Sequence, residues 1–319
     1  MAREPESAVR SKSVTTKKDY SVLLEGVDAG DLSLGVLRDL CDLFLEGAQR
    51  CSRLVAEGRS GARGPAPAWL ASAADLRISR FAPGSLALGL EAPRLTDVAP
   101  EIFAQPHVFP SGTAADASSF DLFLDAAEDA ARGKRDSERL DPGVLDVLGR
   151  ASALFVKGGT RLTIGRAGRA EVVLDPSSAQ TIRSLADETP AGRVTRVRGV
   201  LDTLTVSTKS LVLRLDDGRQ LRGFAADVAI ETLKSLHGKD VVLEGQVSFR
   251  PSGEALRIQV ESAFAATAGD VLWAQLPKAE SAPARGRPSV APVGLDAFFG
   301  KWPGDETDEQ LAAALRDLS

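Results

Sequence analysis

The chain of 319 residues has few of the side chains that most often perform chemistry. It contains two cysteines, Cys41 and Cys51, and two histidines, His107 and His237. A helix that spans both cysteines separates them by roughly 15 Å, beyond the ~7 Å Cα separation that a disulfide allows. The histidines are far apart in sequence, and no Cys/His pattern surrounds them. The sequence therefore predicts no metal site, no cofactor and no enzymatic activity.

Long apolar runs and a strong positive charge are also absent. No stretch approaches the ~18 consecutive apolar residues of a membrane span, and residues 1–18 lack the apolar centre of a signal peptide. The net charge of −5 argues against a protein that coats nucleic acid, because phosphate binding draws on clustered Lys and Arg. Together with cysteines expected as reduced thiols, these features predict a cytoplasmic protein without a membrane partner.

Changes in composition divide the chain into five regions. Residues 1–18 carry five basic and two acidic side chains and predict a disordered basic leader. Residues 19–190 combine amphipathic helices with β-hairpins, and residues 191–276 are rich in strand patterns. Residues 277–294 are dominated by Pro, Ala, Ser, Gly and Arg and predict a flexible linker. Residues 295–319 form a separate apolar and acidic tail, so the chain as a whole is expected to be α+β.

Helix-start signals organise the first of the two large regions. Ser33 is placed to cap a long amphipathic helix, and Asp141 and Asp175 each precede a proline at the first position of a helix. The order of helix followed by hairpin occurs in residues 19–92 and again in residues 113–190. Two subunits of similar order are therefore an alternative to a single region.

Two other segments of this region predict a strand with a turn and a surface connection. Residues 20–24 are β-prone and are followed by Gly26, Asp28 and Gly30, which predict that the strand ends in a turn. Residues 92–112 contain four prolines and predict a surface connection, on which His107 is an isolated loop residue.

The strand-rich region has a recognisable order of elements. Between residues 193 and 264, alternating apolar positions predict five strands, with a short helix that ends at Gly238 between the third and the fourth. This order, β-β-β-α-β-β, resembles the OB-fold, a small barrel. Phe224, Phe249 and Phe264 are expected to point mostly inward.

The resemblance to the OB-fold implies an alternative function, the binding of single-stranded nucleic acid. Barrels of this kind bind single strands through basic residues and aromatic stacking platforms on the second and third strands. The segment contains no Trp and no Tyr, so a solvated basic face is the competing interpretation. The basic residues that would contact a strand are Lys209, Arg214, Arg219, Arg222 and Arg250.

The tail, residues 295–319, has the most specific sequence pattern. Thr307 and Gln310 form a T-x-x-Q capping box, and the helix that it starts has about eleven residues, a length that is marginal alone in water. Its six acidic and two basic side chains favour a basic surface around an apolar groove. The candidate partner-binding side chains are Leu295, Phe298, Phe299 and Trp302, followed by Leu311, Leu315 and Leu318 at helical spacing.

The run FFGKWPGDETDEQLAAALRDL in this tail resembles the C-terminal neutralising tails of bacterial type II antitoxins. In that family, an aromatic-Gly-x-Trp segment, Gly-Asp-Glu and a short amphipathic helix wrap a toxin, often a PIN-domain ribonuclease. The resemblance implies that the partner of this chain is another protein of that kind. A tail that docks on its own body is the alternative.

Overall fold

The structure, a computed structural model, describes residues 16–61, 65–82, 85–104, 110 and 112–279. These residues form an α+β structure with nine helices, ten strands and two hydrophobic cores. Residues 1–15 of the predicted leader, the linker beyond Ala279 and the whole predicted tail lie outside the described residues. Lys17 and Lys18, which the prediction placed in the leader, instead begin the first strand.

The first core is built on a five-stranded sheet whose order is β2-β3-β1-β4-β5. β1 pairs antiparallel with both β3 and β4, so residues 19–92 and 113–190 contribute to the same sheet and the same core. The strands are β1 (Lys17–Asp28), β2 (Arg77–Ala82), β3 (Ser85–Pro93), β4 (Arg161–Arg166) and β5 (Val172–Leu174).

The central strand is longer than its sequence predicts. β1 runs through the expected turn at Gly26 and ends only at Asp28, because β3 and β4 supply hydrogen-bond partners on its two edges. The pairing with β3 shifts register between Leu24 and Asp28, and Gly26 adopts a φ of +86° there. Gly26 therefore belongs to a β-bulge. The predicted turn begins later, at Asp28, whose side chain caps the 3₁₀ turn Ala29–Asp31 by accepting a hydrogen bond from the N–H of Gly30.

Eight α-helices pack with this sheet, and the N-caps predicted for three of them are confirmed. Ser33, Asp141 and Asp175 each accept a hydrogen bond from a backbone N–H in the first turn that follows. The helices are α1 (Leu34–Glu57), α2 (Ala68–Ala73), α3 (Leu95–Val98), α4 (Pro100–Phe103), α5 (Ser119–Ala131), α6 (Pro142–Gly149), α7 (Ser152–Val156) and α8 (Pro176–Glu188).

The proline-rich segment after β3 contributes to the core, contrary to the prediction of a surface connection. Pro100 begins α4, where its missing N–H costs no hydrogen bond. Leu95, Ala99 and Phe103 are at most 1% exposed. His107 lies outside the described residues.

The second core lies inside a closed barrel whose strand order is β10-β8-β7-β6-β9. β10 and β8 pair in parallel, whereas the other pairs are antiparallel. The helix lies between the third and fourth strands, so the predicted order of elements is confirmed. The elements are β6 (Arg193–Thr205), β7 (Ser210–Arg214), β8 (Gln220–Phe224), α9 (Ile230–Leu236), β9 (Asp240–Phe249) and β10 (Ala255–Ala265).

The three phenylalanines of the barrel do not share one environment. Phe249 is fully buried in the barrel core, as expected. Phe264 is 52% exposed, and Phe224 packs on the outside of the barrel against Gly58. The prediction of inward positions is therefore wrong for two of the three, because the strand pattern does not show what covers the outer face.

The end of α1 joins the two cores, which belong to a single unit of the chain. Gly58 ends the helix in the left-handed conformation, with a φ of +72°. The Nε2 of Gln259 on β10 donates to the carbonyl of Glu57 at 2.8 Å. A Cβ on Gly58 would overlap the ring of Phe224. The barrel therefore supplies a donor for a carbonyl that the helix itself leaves without one.

We expect Gly58→Ala to lower the free energy of unfolding by more than about 2 kcal/mol, because it adds the strain of a left-handed alanine to an overlap with Phe224. Gly168 is the matched control, since its φ is +73° and it has open space around it. Gly168→Ala should cost only the strain of about 1–2 kcal/mol. Urea unfolding of both variants measures the difference, and equal costs would contradict the close packing at Gly58.

Candidate functional site

The five basic residues that were predicted to contact a nucleic-acid strand all form hydrogen bonds or ion pairs within the chain. The Nζ of Lys209 donates to the carbonyls of Ala226 and Val228 at 2.7 and 3.0 Å. Arg214 pairs with Asp202 at 3.3 Å. Arg219 pairs with Asp217 at 2.7 Å. Three of the five basic residues therefore have partners within the barrel itself.

The other two of these residues face the first core. Glu138, in the loop after α5, lies 3.9 Å from Arg222 and 3.8 Å from Arg250. Arg250 also donates to the carbonyl of Asp136 at 2.9 Å. Both arginines thus contribute to the junction between the two cores, and the five residues do not form one basic surface.

The structure brings together a group of carboxylates that the sequence analysis did not single out. Asp121, Asp125 and Asp129 lie on one side of α5, four residues apart, and each is at most 7% exposed. A carboxylate buried without a counter-charge is costly. Basic side chains from other elements therefore have to approach this side of the helix.

Arg166 on β4 is the central cation of this group. Its side chain is 4% exposed, and its Nη1 lies 2.7 Å from Oδ1 of Asp125 and 3.7 Å from Oδ1 of Asp121. Arg169 donates to the same oxygen of Asp125 at 2.9 Å. These ion pairs connect α5 with the strand that lies beside β1.

The last aspartate of the row is held by the loop that follows α5. Lys134 and Ser137 donate to Asp129 at 2.6 and 2.7 Å, and Arg139 donates to it at 3.2 Å. Burial alone would raise the pKa of Asp129, but the hydrogen bonds from Lys134 and Ser137 and the charge of Arg139 outweigh burial and hold it below its usual range. Asp129 is therefore ionised throughout the neutral range.

A cleft of about 230 Å³ opens beside the first two aspartates. The hydroxyl of Tyr20 lines it and lies 2.6 Å from Oγ of Ser118, the N-cap of α5. Burial, reinforced by the charge of Asp121, raises the pKa of Tyr20 far above its usual value. The phenol therefore stays protonated and cannot act as a base.

The arrangement around α5 is that of a structural ion-pair network. Catalytic carboxylate pairs need one member free to exchange a proton, whereas Asp121, Asp125 and Asp129 each lie within 4 Å of a basic side chain. Among the described residues, no group of three or more His, Cys, Asp or Glu could hold a metal ion. The i, i+4, i+8 spacing of three aspartates among the mostly apolar residues of α5 was the signal from which this network could have been predicted.

An apolar surface follows the barrel, where the chain leads toward the linker. A 3₁₀ turn, Ala268–Trp273, exposes Val271, Leu272 and Trp273 to 61%, 85% and 37%. Leu276 then packs against the barrel core, and the backbone of Lys278 forms an isolated antiparallel β-bridge with Glu254. The ordered body thus presents large apolar side chains a short distance before the tail.

The predicted partner-binding residues of the tail all lie outside the described residues. Comparison of the chain with protein-family models, with curated proteins and with solved structures gives no match. No helix in the described ranges has both the length and the apolar character that crossing a membrane requires.

We expect Arg166→Met to lower the free energy of unfolding by about 3 kcal/mol, because it leaves buried carboxylates without their central cation. Arg214→Met is the matched control, since its ion pair with Asp202 is 47% and 39% exposed at the two side chains. The control should cost less than about 1 kcal/mol. Chemical denaturation measures the free energy of unfolding of both variants. An Arg166→Met protein as stable as the control would contradict a stabilising role for the ion-pair network.

Acid should act on Asp129 in a defined direction. Its folded-state pKa lies below the usual value of 3.8, so the stabilisation is fully present above that value and is lost as the pH falls below it. Asp129→Asn should therefore be less stable than the parent protein at pH 7, and the gap should narrow below about pH 4. Denaturant unfolding at pH 7, 4.5 and 3.5 measures the gap, and a gap that stays constant with pH would contradict this assignment.

Proposed function

We propose that this chain is a non-enzymatic, antitoxin-like interaction protein whose tail binds another protein. The support begins with the sequence of residues 295–319, in which large aromatic residues precede a capped amphipathic helix. Aromatic side chains of this kind dominate the binding energy of protein interfaces. A helix too short to be stable alone gains its stability on the surface that receives it.

The observation that carries this proposal is the apolar turn at the end of the body. Leu272 and Val271 are among the most exposed large apolar side chains of the described chain. Contiguous exposed apolar residues beside a polar surface are typical of protein-binding sites. The turn would thus add exposed apolar side chains of the body to those that the proposal assigns to the tail.

The charges of the barrel favour a protein partner over a nucleic-acid strand. Lys209, Arg214, Arg219, Arg222 and Arg250 each contact an acidic side chain or a carbonyl of this chain. Phosphate binding at these positions would have to break those contacts first. The tail, in contrast, carries an acidic excess and would meet a basic protein surface.

The resemblance of the tail to antitoxin tails gives the proposed partner its class. We propose a toxin-like protein such as a PIN-domain ribonuclease, bound through Phe298, Phe299 and Trp302 and through the leucine stripe of the helix. The sequence predicts a helix that is marginal alone in water, so contact with the partner would stabilise it. The aromatic residues would supply the anchors and the acidic residues the steering.

The test begins with a tagged full-length chain expressed in its native host, from which a stably bound partner is purified and identified. The affinity of that partner is then measured for the parent chain, for a chain that ends at residue 294, and for Leu311→Ala/Leu315→Ala. We expect the truncation to abolish binding and the double substitution to weaken it at least about 30-fold, because the proposal assigns both leucines to the apolar stripe that meets the partner.

The matched control is Arg316→Gln, which changes a tail residue off the predicted leucine stripe. It should alter the affinity by no more than about threefold, as is usual for a residue at the rim of an interface. A truncated chain that binds the purified partner as tightly as the parent would eliminate the tail as the binding element, and the proposal with it.

A further inference from the structure

The junction of the two cores forms a small, partly open cavity that the proposed function does not use. It has a volume of about 40 Å³ and lies between the end of α1, at Val55 and Ala56, and the outer faces of β6, β7, β8 and β10. A single water needs about 10–15 Å³ measured in this way. The cavity therefore has room for a group of a few heavy atoms, and because it is partly open, a larger substituent on such a group would lie outside it.

Arg257 on β10 lines this cavity and is only 2% exposed. Within the described residues, no carboxylate lies at ion-pair distance from its guanidinium, whose nearest aromatic contact is the ring of Phe224 at 5.9 Å. Burial, reinforced by the charges of Arg222 and Arg250, lowers the pKa of Arg257 to about 10, although the more distant carboxylates of Glu138 and Asp141 act in the opposite direction. The side chain therefore keeps its charge at neutral pH, and a buried charge without a directly paired counter-charge is costly.

The other polar side chains around the cavity can also donate hydrogen bonds to an anion. Arg222, which is paired in register with Arg257, lines it too. Hydroxyl groups come from Thr203, Thr208 and Ser210, and Oγ1 of Thr208 lies 2.9 Å from Oγ of Ser210. None of the described residues that line the cavity is acidic. Arginine forks and hydroxyls are the groups that recognise tetrahedral oxyanions.

We propose that this cavity binds a phosphate group, either inorganic phosphate or the phosphate of a small ester. The anion supplies a direct ion-pair partner for Arg257, whose nearest carboxylates among the described residues lie beyond ion-pair distance, and accepts hydrogen bonds from the surrounding hydroxyls. Because the cavity is bounded by α1 on one side and the barrel on the other, bound phosphate would also hold the two cores together. The site is independent of the tail, so its failure would leave the proposed function untouched.

The experiment uses the full-length chain in thermal unfolding and in calorimetric titration with sodium phosphate, against sodium chloride at the same ionic strength. We expect phosphate to raise the melting temperature in a saturable way, as a ligand that binds only the folded state does. Arg257→Met should weaken phosphate binding at least about tenfold, because it removes a charge-assisted donor. The variant should fold, since it replaces a buried unpaired charge with an apolar side chain.

Two further variants keep the result interpretable. Arg222→Gln should weaken phosphate binding less than Arg257→Met, since Arg222 is more exposed and also lies near Glu138. Arg214→Met, at an arginine paired with Asp202 outside the cavity, should bind phosphate as the parent does. A phosphate effect no larger than that of chloride, or one that survives in Arg257→Met, would overturn the proposal.

The source of the phosphate is separated by a second titration. A nucleoside monophosphate that binds at least as tightly as inorganic phosphate, and loses its affinity in Arg257→Met, supports a small phosphate ester as the ligand. A monophosphate that is excluded while inorganic phosphate binds supports the free anion. Equal binding of the unphosphorylated nucleoside would contradict recognition of the phosphate.

Discussion

The carbonyl groups at the end of α1 impose the constraint on which the architecture depends. A helix leaves its last carbonyls without internal partners, and these groups need donors when they are buried. Gly58 closes one by turning back to Leu54, and Gln259 of the barrel closes another at Glu57. The two cores are therefore joined by a hydrogen bond that the helix requires and by the packing of Phe224 against a residue that has no side chain.

This junction explains why the barrel does not offer an open basic surface. Its arginines at positions 222 and 250 face Glu138, and Arg257 is enclosed beside the helix end. The charges around α5 are likewise matched by Lys134, Arg139 and Arg166. Much of the body's charge thus holds the fold together, whereas the exposed apolar turn at the end of the body points to binding outside it.

The two proposals divide the molecule by function. Protein binding is assigned to the tail and the turn that precedes the linker, and anion binding to the cavity between the cores. If both hold, phosphate would strengthen the contact between α1 and the barrel without acting on the tail. The described residues that line the cavity belong neither to the apolar turn nor to the tail, so the two proposed activities can be separated by substitution.

Local chemistry was predictable from the sequence, and contacts across long sequence distances were not. The caps at Ser33, Asp141 and Asp175 depend only on neighbouring residues, and they were predicted correctly. The order of strands and helix along the barrel sequence follows from alternation and turns, and it was also predicted correctly. The extension of β1 depends on β3 and β4, whose positions the sequence of β1 does not contain.

The candidate sites differ in the same way. The spacing of Asp121, Asp125 and Asp129 was visible in the sequence, but their central cation lies on β4, dozens of residues away. The outward position of Phe224 depends on Gly58, which is still more distant. The cavity at Arg257 could not have been predicted, because its walls come from α1 and from four strands of the barrel.

Hydrogen–deuterium exchange of the full-length chain, alone and with its purified partner, tests the central claim most directly. We expect the partner to slow exchange in residues 295–319 and in the apolar turn Ala268–Trp273, while the barrel strands β7 and β8 exchange as in the free chain. Slower exchange on β7 and β8 with an unchanged tail would contradict it and would assign partner binding to the barrel.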